Sequence, residues 1–419
     1  MRSFVKSFYF FASSFFFKKS YDVIFSYPVT FNRGNSYNND LIEPFIDFCR
    51  KKNLDFLIFE ESDLSGAFRG YKFSKSGIPL TAVTILEILL RKFLALFSFH
   101  KDKEDIERTI CNLISRIFLN NISSKVVITL ICHKAQLWRA AFPESDIYDY
   151  QHGIIFDGDW GYLLNGKPPS FRSKNRVNTL TYGKKISNLL INQDETKFYN
   201  SSSVFEVGVK KFKKLESDLS YTTNSNLRIL FSMQDAADGS LDDLAFYYKK
   251  VETFFNQTQN FFIQNNIHIT ARHHPRANQK LKNNFLHRFL FIEEINENVS
   301  LESCLRQHNL HITFNSSSAI EASYLGVPTI FLELENPENG DFPDLSSEYV
   351  FYNQLGYPLH SFLVRNADEF MSLVKNFNQN DFEKNQLLVL DWVNELNNDF
   401  NYNSLIKIFS EKLELGAKN

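Results

Sequence analysis

Short apolar runs alternate along the chain with longer stretches whose apolar positions recur every three or four residues. "YDVIFSYP" (21–28) is a run of strand length stopped by proline, and the polar loop "VTFNRGNSYNND" (29–40) follows it. "LIEPFIDFCRKKN" (41–53) then has helical spacing, and "LDFLIFEE" (54–61) is the next strand. This series predicts a β-α-β unit. Helical stretches over 81–97 and 106–119 lead to "KVVITLI" (125–131), and further strands are expected in "SDIYDYQHGIIF" (145–156), "NTLTYGKK" (178–185) and "SVFEVGV" (203–209). Around 217–226 the composition turns to Ser, Thr, Asn and Asp, just before a fresh apolar run, "LRILFSM" (227–233); such a shift marks a domain boundary. The alternation resumes with a helix over 241–265, "IHITARHHP" (267–275), a short helix and "FLFIEE" (289–294). "LESCLRQ" (301–307) as a helix, "LHITFN" (310–315), a helix over 317–325 and "PTIFLEL" (328–334) complete it, and one amphipathic stretch over 382–413 closes the chain. Alternation of this kind predicts parallel sheets with helices on both faces. No internal repeat is present, which excludes a solenoid.

At 419 residues the chain exceeds one hydrophobic core, so two domains are expected. The pattern places them at 1–220 and 221–380, with a helical segment at 381–419 packing near their junction. Each would be a Rossmann-like α/β domain, the two sheets facing a central cleft. With 46 Lys and Arg against 48 Asp and Glu the net charge is -2. No basic field advertises nucleic acid, so an anionic ligand must be met by local chemistry. Cys49, Cys111, Cys132 and Cys304 show no C-x-x-C spacing, which disfavours a zinc site or disulfide scaffold and fits the cytoplasm. The opening "MRSFVKSFYFFASSFFF" imitates a signal peptide, but Lys6 and serines interrupt it and no small-residue cleavage site follows. No apolar run is long enough to span a bilayer. With Lys18 and Lys19 beside it, the segment either lies on the inner face of the cell membrane as a peripheral anchor or buries as a first helix.

In open parallel sheets ligands collect at the carboxyl ends of strands, and the chemically rich segments fall there. "IHIT" runs into Arg272, His273, His274, Pro275 and Arg276. Arginine binds phosphate bidentately and imidazole adds a donor, although either histidine can instead satisfy a neighbouring carbonyl. "LHIT" runs through Phe314 into Asn315, Ser316, Ser317 and Ser318, which open a helix ended by Gly326 and Pro328. Ser316 or Ser317 can cap that helix, and the N–H groups beyond favour an anion. Three hydroxyls exceed what a cap requires. Glu321, one turn on, either accepts from ribose hydroxyls or serves the helix dipole. Gln234 opens the polar loop after "LRILFSM".

In the first half Gln151, His152 and Gly153 follow a strand, and the glycine permits close backbone approach or positive φ. His152 either takes the acceptor hydroxyl's proton, since imidazole titrates near neutrality, or binds donor phosphate or acceptor. In the loop at 29–40, Arg33, Asn35 and Asp40 are expected to meet acceptor or donor, and Asp40 is also placed to cap the next helix. Asp157 begins the D-x-D of "FDGDW" (156–160). Neither a G-x-x-x-x-G-K-[ST] loop nor an H-E-x-x-H signature occurs, so no P-loop activity, catalytic metal or cofactor is expected.

The pairing of "HHP" with "NSSSAIEASYLGVPTIF" resembles the carboxy-terminal domain of GT-B glycosyltransferases, especially those of bacterial capsule and lipopolysaccharide synthesis. The H-P turn and serine pair are similar to motifs of bacterial sialyltransferases and related capsule enzymes, which hold the cytidine monophosphate of the donor. The resemblance covers roughly residues 225–335. It implies donor-binding roles for His274, Pro275, Ser316, Ser317 and Ser318, and brings the loop of Gln234 close to the nucleotide. Glu321, Ala322, Gly326 and Pro328 match an E-A-x-x-x-G-x-P pattern shared with enzymes that use uridine diphosphate sugars. "QHG" is similar to polysaccharide and teichoic-acid-type transferases, where the histidine lines the cleft. Sialyltransferases carry an acidic pair before glycine for the acceptor proton; here "FDGDWG" (156–161) and "EESDLSG" (60–66) are partial echoes. The resemblance implies transfer of a sugar from a nucleotide, of the CMP-activated sialic acid or Kdo type, to a glycan or lipid-linked glycan. A UDP-sugar transferase, a sugar-nucleotide 2-epimerase, CDP-polyol phosphate transfer and a non-catalytic binding protein are the alternatives.

Overall fold

Carboxyl ends of parallel strands are where both candidate segments were expected, so strand order decides what they can reach. The computed structural model describes residues 2–32, 39–62, 72–97, 102–132, 134–156, 158–159, 161–211, 227–234, 241–274, 277, 279–295, 299–314, 316–334, 352, 354–377 and 379–414. The chain forms two units, one of residues 1–210 with 398–419 and the other of residues 211–397.

The first unit holds a seven-stranded sheet in the order β3-β2-β1-β4-β5-β6-β7. Its strands are β1 (Lys19–Pro28), β2 (Phe56–Glu61), β3 (Ile78–Pro79), β4 (Ile122–Thr129), β5 (Asp146–Tyr150), β6 (Val177–Thr181) and β7 (Val204–Glu206). The second holds six, in the order β10-β9-β8-β11-β12-β13: β8 (Arg228–Ser232), β9 (His268–Arg272), β10 (Ile292–Glu294), β11 (Leu310–Thr313), β12 (Thr329–Leu332) and β13 (Leu363–Val364). Every pairing between these strands is parallel. Both units are therefore Rossmann-like α/β domains, as the alternation predicts. Central strands such as β1, β4 and β8 are buried on both faces, Ile24, Phe25, Val127 and Leu230 being fully enclosed. That is why they read as unbroken apolar runs.

Three expectations change. The closing amphipathic stretch is two helices, Gln379–Leu396 and Tyr402–Leu413, because Asn401 caps the second through the N–H groups of Asn403 and Ser404. The division between units cuts this stretch after Asn397, and the first unit ends at Lys210 rather than near 220. Residues 212–226, where the composition shift lies, are outside the described residues. The returning segment is held by backbone pairing: Val209 N–H donates to Asn398 O at 2.9 Å and Asn398 N–H to Tyr182 O at 2.8 Å. Gly208 has φ +78, and a Cβ there would lie 2.2 Å from Asp399 O, so only glycine permits the approach. Phe409 then packs on Phe48 and Tyr148. Lastly, Asp40 does not cap helix Glu43–Lys51: the cap position is Ile42, with no side-chain cap bond, Asn39 Oδ1 accepts from the N–H groups of Leu41 and Ile42 in the turn before the helix, and Asp40 is exposed.

Candidate functional site

In the second unit Arg272 pairs with Ser232, and Ile312 with Phe231, so Arg272, Ser232 and Thr313 stand at one level on three adjacent strands. At about 4.8 Å per strand, the exits of β9 and β11 are about 10 Å apart with the exit of β8 between them. The two segments singled out from the sequence thus leave the same end of one sheet. Cross-strand bonds pin this edge: Met233 N–H donates to Arg272 O at 3.0 Å, and the Thr313 hydroxyl donates to Ser232 O at 3.1 Å.

On the β9 side Arg272 is half-buried and its guanidinium stands beside the Cys304 thiol, whose pKa burial raises against the arginine's pull. His273 is buried with its ring edge-on to Phe285, a position in the core, whereas His274 is partly exposed. The carbonyl of His274 accepts from Ala277 N–H at 2.8 Å, closing the turn. Pro275 and Arg276 lie outside the described residues.

On the β11 side Asn315 is also outside the described residues, Ser317 is exposed and Ser318 is buried. Ser317 occupies the cap position of helix Ser318–Tyr324 without a side-chain cap bond. Ser316 supplies that bond, its Oγ accepting from Ser318 N–H at 3.2 Å, while its carbonyl accepts from Tyr352 OH at 2.5 Å. Ser318 Oγ is turned to His311 Nε2, 3.3 Å away. One of the three serines is therefore committed to the interior, one to capping, and one faces solvent. Glu321 is partly buried near Tyr352, whose hydroxyl pKa burial and that carboxylate both raise. Gly326 ends the helix at φ +71, where a Cβ would lie 2.5 Å from Gln386. Gln234 is partly buried, and its N–H donates to Tyr247 OH at 2.9 Å. The Tyr247 ring also packs on Phe314 at 5.0 Å, so one aromatic joins the exits of β8 and β11.

The residue that ties this edge together was missed in the sequence. His311, fully buried in β11, reaches Thr329 Oγ1 at 3.0 Å and Ser232 Oγ at 2.9 Å as well as Ser318. Burial, with His308 beside it, pushes its pKa down to about 3, so the ring is neutral. A histidine inside the apolar run "LHIT" was the available signal. His308 is likewise buried, bonded to Cys304 O at 2.6 Å and Thr270 Oγ1 at 2.9 Å, with its pKa lowered to about 4 by burial.

In the first unit the loop after β5 is fastened by a buried ion pair. Asp149 accepts from Arg172, both enclosed, and from Thr129 Oγ1 at 3.0 Å. Arg172 also donates to Gly161 O at 2.5 Å and Thr179 Oγ1 at 3.3 Å, and lies 3.9 Å over the Tyr162 ring. His152, partly exposed, sits between the rings of Phe31 at 5.9 Å and Tyr162 at 6.3 Å. Gln151 is a structural residue: buried, it donates to Gly153 O at 2.7 Å and accepts from Tyr182 N–H at 2.9 Å. Gly153 adopts no positive φ, and a Cβ there would meet nothing within 4 Å, so neither expected reason for a glycine applies within the chain. Arg33, Asn35 and Asp157 are outside the described residues.

The "EE" that ends β2 divides into two roles. Glu60 is fully buried and accepts from Asn32 Nδ2 at 2.7 Å and Ser74 N–H at 3.1 Å. Gly77 is required beside it, since a Cβ would lie 2.3 Å from the carboxyl carbon. Glu61 accepts from Ser26 Oγ at 3.0 Å through Oε1; among the described residues its Oε2 has no hydrogen-bond partner. Burial pushes its pKa up to about 7, and Glu87 adds to the rise against Lys134 and Ser26. Lys134 and Glu87 are paired at 2.6 Å.

No protein-family profile and no curated protein sequence matches the chain. Solved structures do. The S. aureus MnaA–UDP co-structure is 12% identical over 94% of this chain and 97% of that one, with a TM-score of 0.54. The Methanocaldococcus jannaschii UDP-GlcNAc 2-epimerase in complex with UDP-GlcNAc and UDP is 13% identical over 93% and 99%, at 0.53. A variant of the wall teichoic acid polymerase TagF soaked with CDPG is 10% identical over 95% and 90%, at 0.51. At these identities the likeness is one of fold: the chain consists of two Rossmann-like domains of the GT-B type.

Proposed function

We propose that the chain is a glycosyltransferase that moves a sugar from a nucleotide donor, of the CMP-activated sialic acid or Kdo type, to a bacterial surface glycan or lipid-linked glycan in the cytoplasm. The observation that supports this reading is that the segments carrying Arg272, His274, Ser316 and Ser317 leave the same end of one sheet, from the two strands that flank β8. Guanidinium, imidazole and hydroxyl donors there would balance the charge of a departing nucleotide phosphate. The buried His311 beneath them is neutral, so that balance falls to Arg272 and His274. On the acceptor side His152 remains a candidate for the acceptor's proton. Glu61 is a second, because a carboxyl with a pKa near 7 and a free oxygen suits a base working at neutral pH. The reaction as proposed needs no resident cofactor or metal.

Neighbours of the same fold whose structures hold UDP or UDP-GlcNAc support a second reading, a UDP-sugar transferase or 2-epimerase. Thermal-shift titration with CMP, UDP and GDP separates the donors, since a ligand that binds only the folded state raises Tm. CMP is expected to stabilise most, and His274→Ala to weaken it about tenfold, about 1.4 kcal/mol. Turnover of a nucleotide sugar without acceptor would favour the epimerase; no stabilisation by any nucleotide would end both readings.

A further inference from the structure

The first helix buries two serines and leaves most of its large apolar side chains exposed. Along Arg2–Phe16, Ser7 and Ser14 are buried, while Phe4, Val5, Phe8, Tyr9, Phe15 and Phe16 are 41–76% exposed. The inward serines have structural work: Ser7 Oγ accepts from Ala82 N–H at 3.1 Å, at the start of helix Thr81–Phe97, and Ser14 Oγ donates to Phe11 O at 2.8 Å. Phe11 carries the deepest apolar contact, stacked on Phe59 and edge-on to Phe118, with the partly buried Phe10 edge-on to Phe59 beside it. The helix is thus docked by one narrow seam, leaving two rows of aromatic and aliphatic side chains outward.

The flanking elements continue that face. The first helix packs against helix Thr81–Phe97, where Leu89 is 57% exposed, and against the turn Ser115–Leu119, where Ile117 is 45% exposed. Most of the large apolar side chains exposed among the described residues lie on these neighbouring elements. Charge is one-sided as well. The chain has no carboxylate before Asp22. Lys18, Lys92 and Arg116 are exposed and have no carboxylate partner among the described residues, whereas Glu104, Asp105 and Glu107 are neutralised by Lys174, Arg108 and Arg91. Among the described residues no helix is long and apolar enough to cross a membrane.

We propose that this face is a docking surface for an anionic lipid bilayer, the first helix lying in the plane of the headgroups with Phe8, Tyr9 and Phe16 inserted and Lys18, Lys92 and Arg116 meeting lipid phosphates. An aromatic outer row bounded by uncompensated cations matches a headgroup boundary, with apolar chains below and negative charge above. The inference does not depend on the sugar-nucleotide reading.

Flotation of the full-length protein with phosphatidylcholine vesicles, with or without phosphatidylglycerol, tests it. Binding is expected to require phosphatidylglycerol and to weaken as salt rises from about 0.1 to 0.5 M, as screening of exposed charges dictates. The combined change Phe8→Ser, Tyr9→Ser, Phe16→Ser should reduce binding at least tenfold without lowering Tm, because those side chains are already exposed. Lys18→Glu, Lys92→Glu, Arg116→Glu should abolish the preference for phosphatidylglycerol. Absence of vesicle binding, or equal binding by the serine variant, would overturn the proposal. So would self-association in sedimentation velocity that the serine variant removes, since the face would then be an interface between copies.

Discussion

The two sheets end differently. At the carboxyl edge of the first, charge is buried and matched: Asp149 with Arg172, Lys134 with Glu87, and Glu60 inside a ring of donors. In the second sheet the groups buried around β11 are neutral imidazoles: His308, just before the strand, and His311, within it, bridge hydroxyls and carbonyls and are held uncharged by burial. Buried ion pairs recover their desolvation cost only when geometry is complete, so the first edge is rigid and intolerant of losing a member. A neutral imidazole and hydroxyl network costs less to bury.

The comparison breaks most visibly at Arg172. Arg172→Met leaves Asp149 enclosed without its cation, and a loss of about 3–5 kcal/mol in urea unfolding is expected. A loss under about 1 kcal/mol would mean that the first edge is not held by this pair.

The neutral edge should respond to acid instead. His308 and His311 have folded-state pKa values lowered to about 4 and about 3, below the ordinary value of about 6.5. The unfolded chain therefore takes up protons that the folded chain refuses, and stability present above about pH 6.5 is lost as pH falls toward the folded values. Between pH 7 and 5 each ring should cost up to about 1–2 kcal/mol. His311→Gln should flatten that slope in unfolding curves at pH 7, 6 and 5; an unchanged slope would show that the ring is not the sensor.

Glu61 should give the smallest effect and the opposite sign. Its folded pKa is raised to about 7, so the folded state holds a proton that the unfolded chain has released above about pH 4.3. Stability is lost as pH rises through 7. Glu61→Gln should stabilise the fold in urea unfolding relative to the parent more at pH 8 than at pH 5, by less than about 1 kcal/mol since the half-buried carboxyl is partly screened by solvent. If Glu61 also takes the acceptor's proton, turnover in the same variant falls at every pH while nucleotide affinity holds.

Strand and helix positions were legible because a parallel strand buried on both faces shows no alternation, and a helix repeats its apolar positions every three or four residues. "KVVITLI", "LRILFSM" and "PTIFLEL" were each readable from the runs themselves, and the placement of "RHHPR" and "NSSS" at strand exits followed from them. Their convergence did not, since it depends on β8 lying between β9 and β11. Nor did the fate of individual polar groups. Gln151, Ser318 and His311 are spent on partners 31, 7 and 79 residues away, and Arg172 on one 23 away. Local periodicity reports whether a position meets water, because that depends on the face of its own element. Which donor a buried acceptor receives, and hence which side chains are left for a ligand, is settled only when distant segments pack and every enclosed polar group must find a partner.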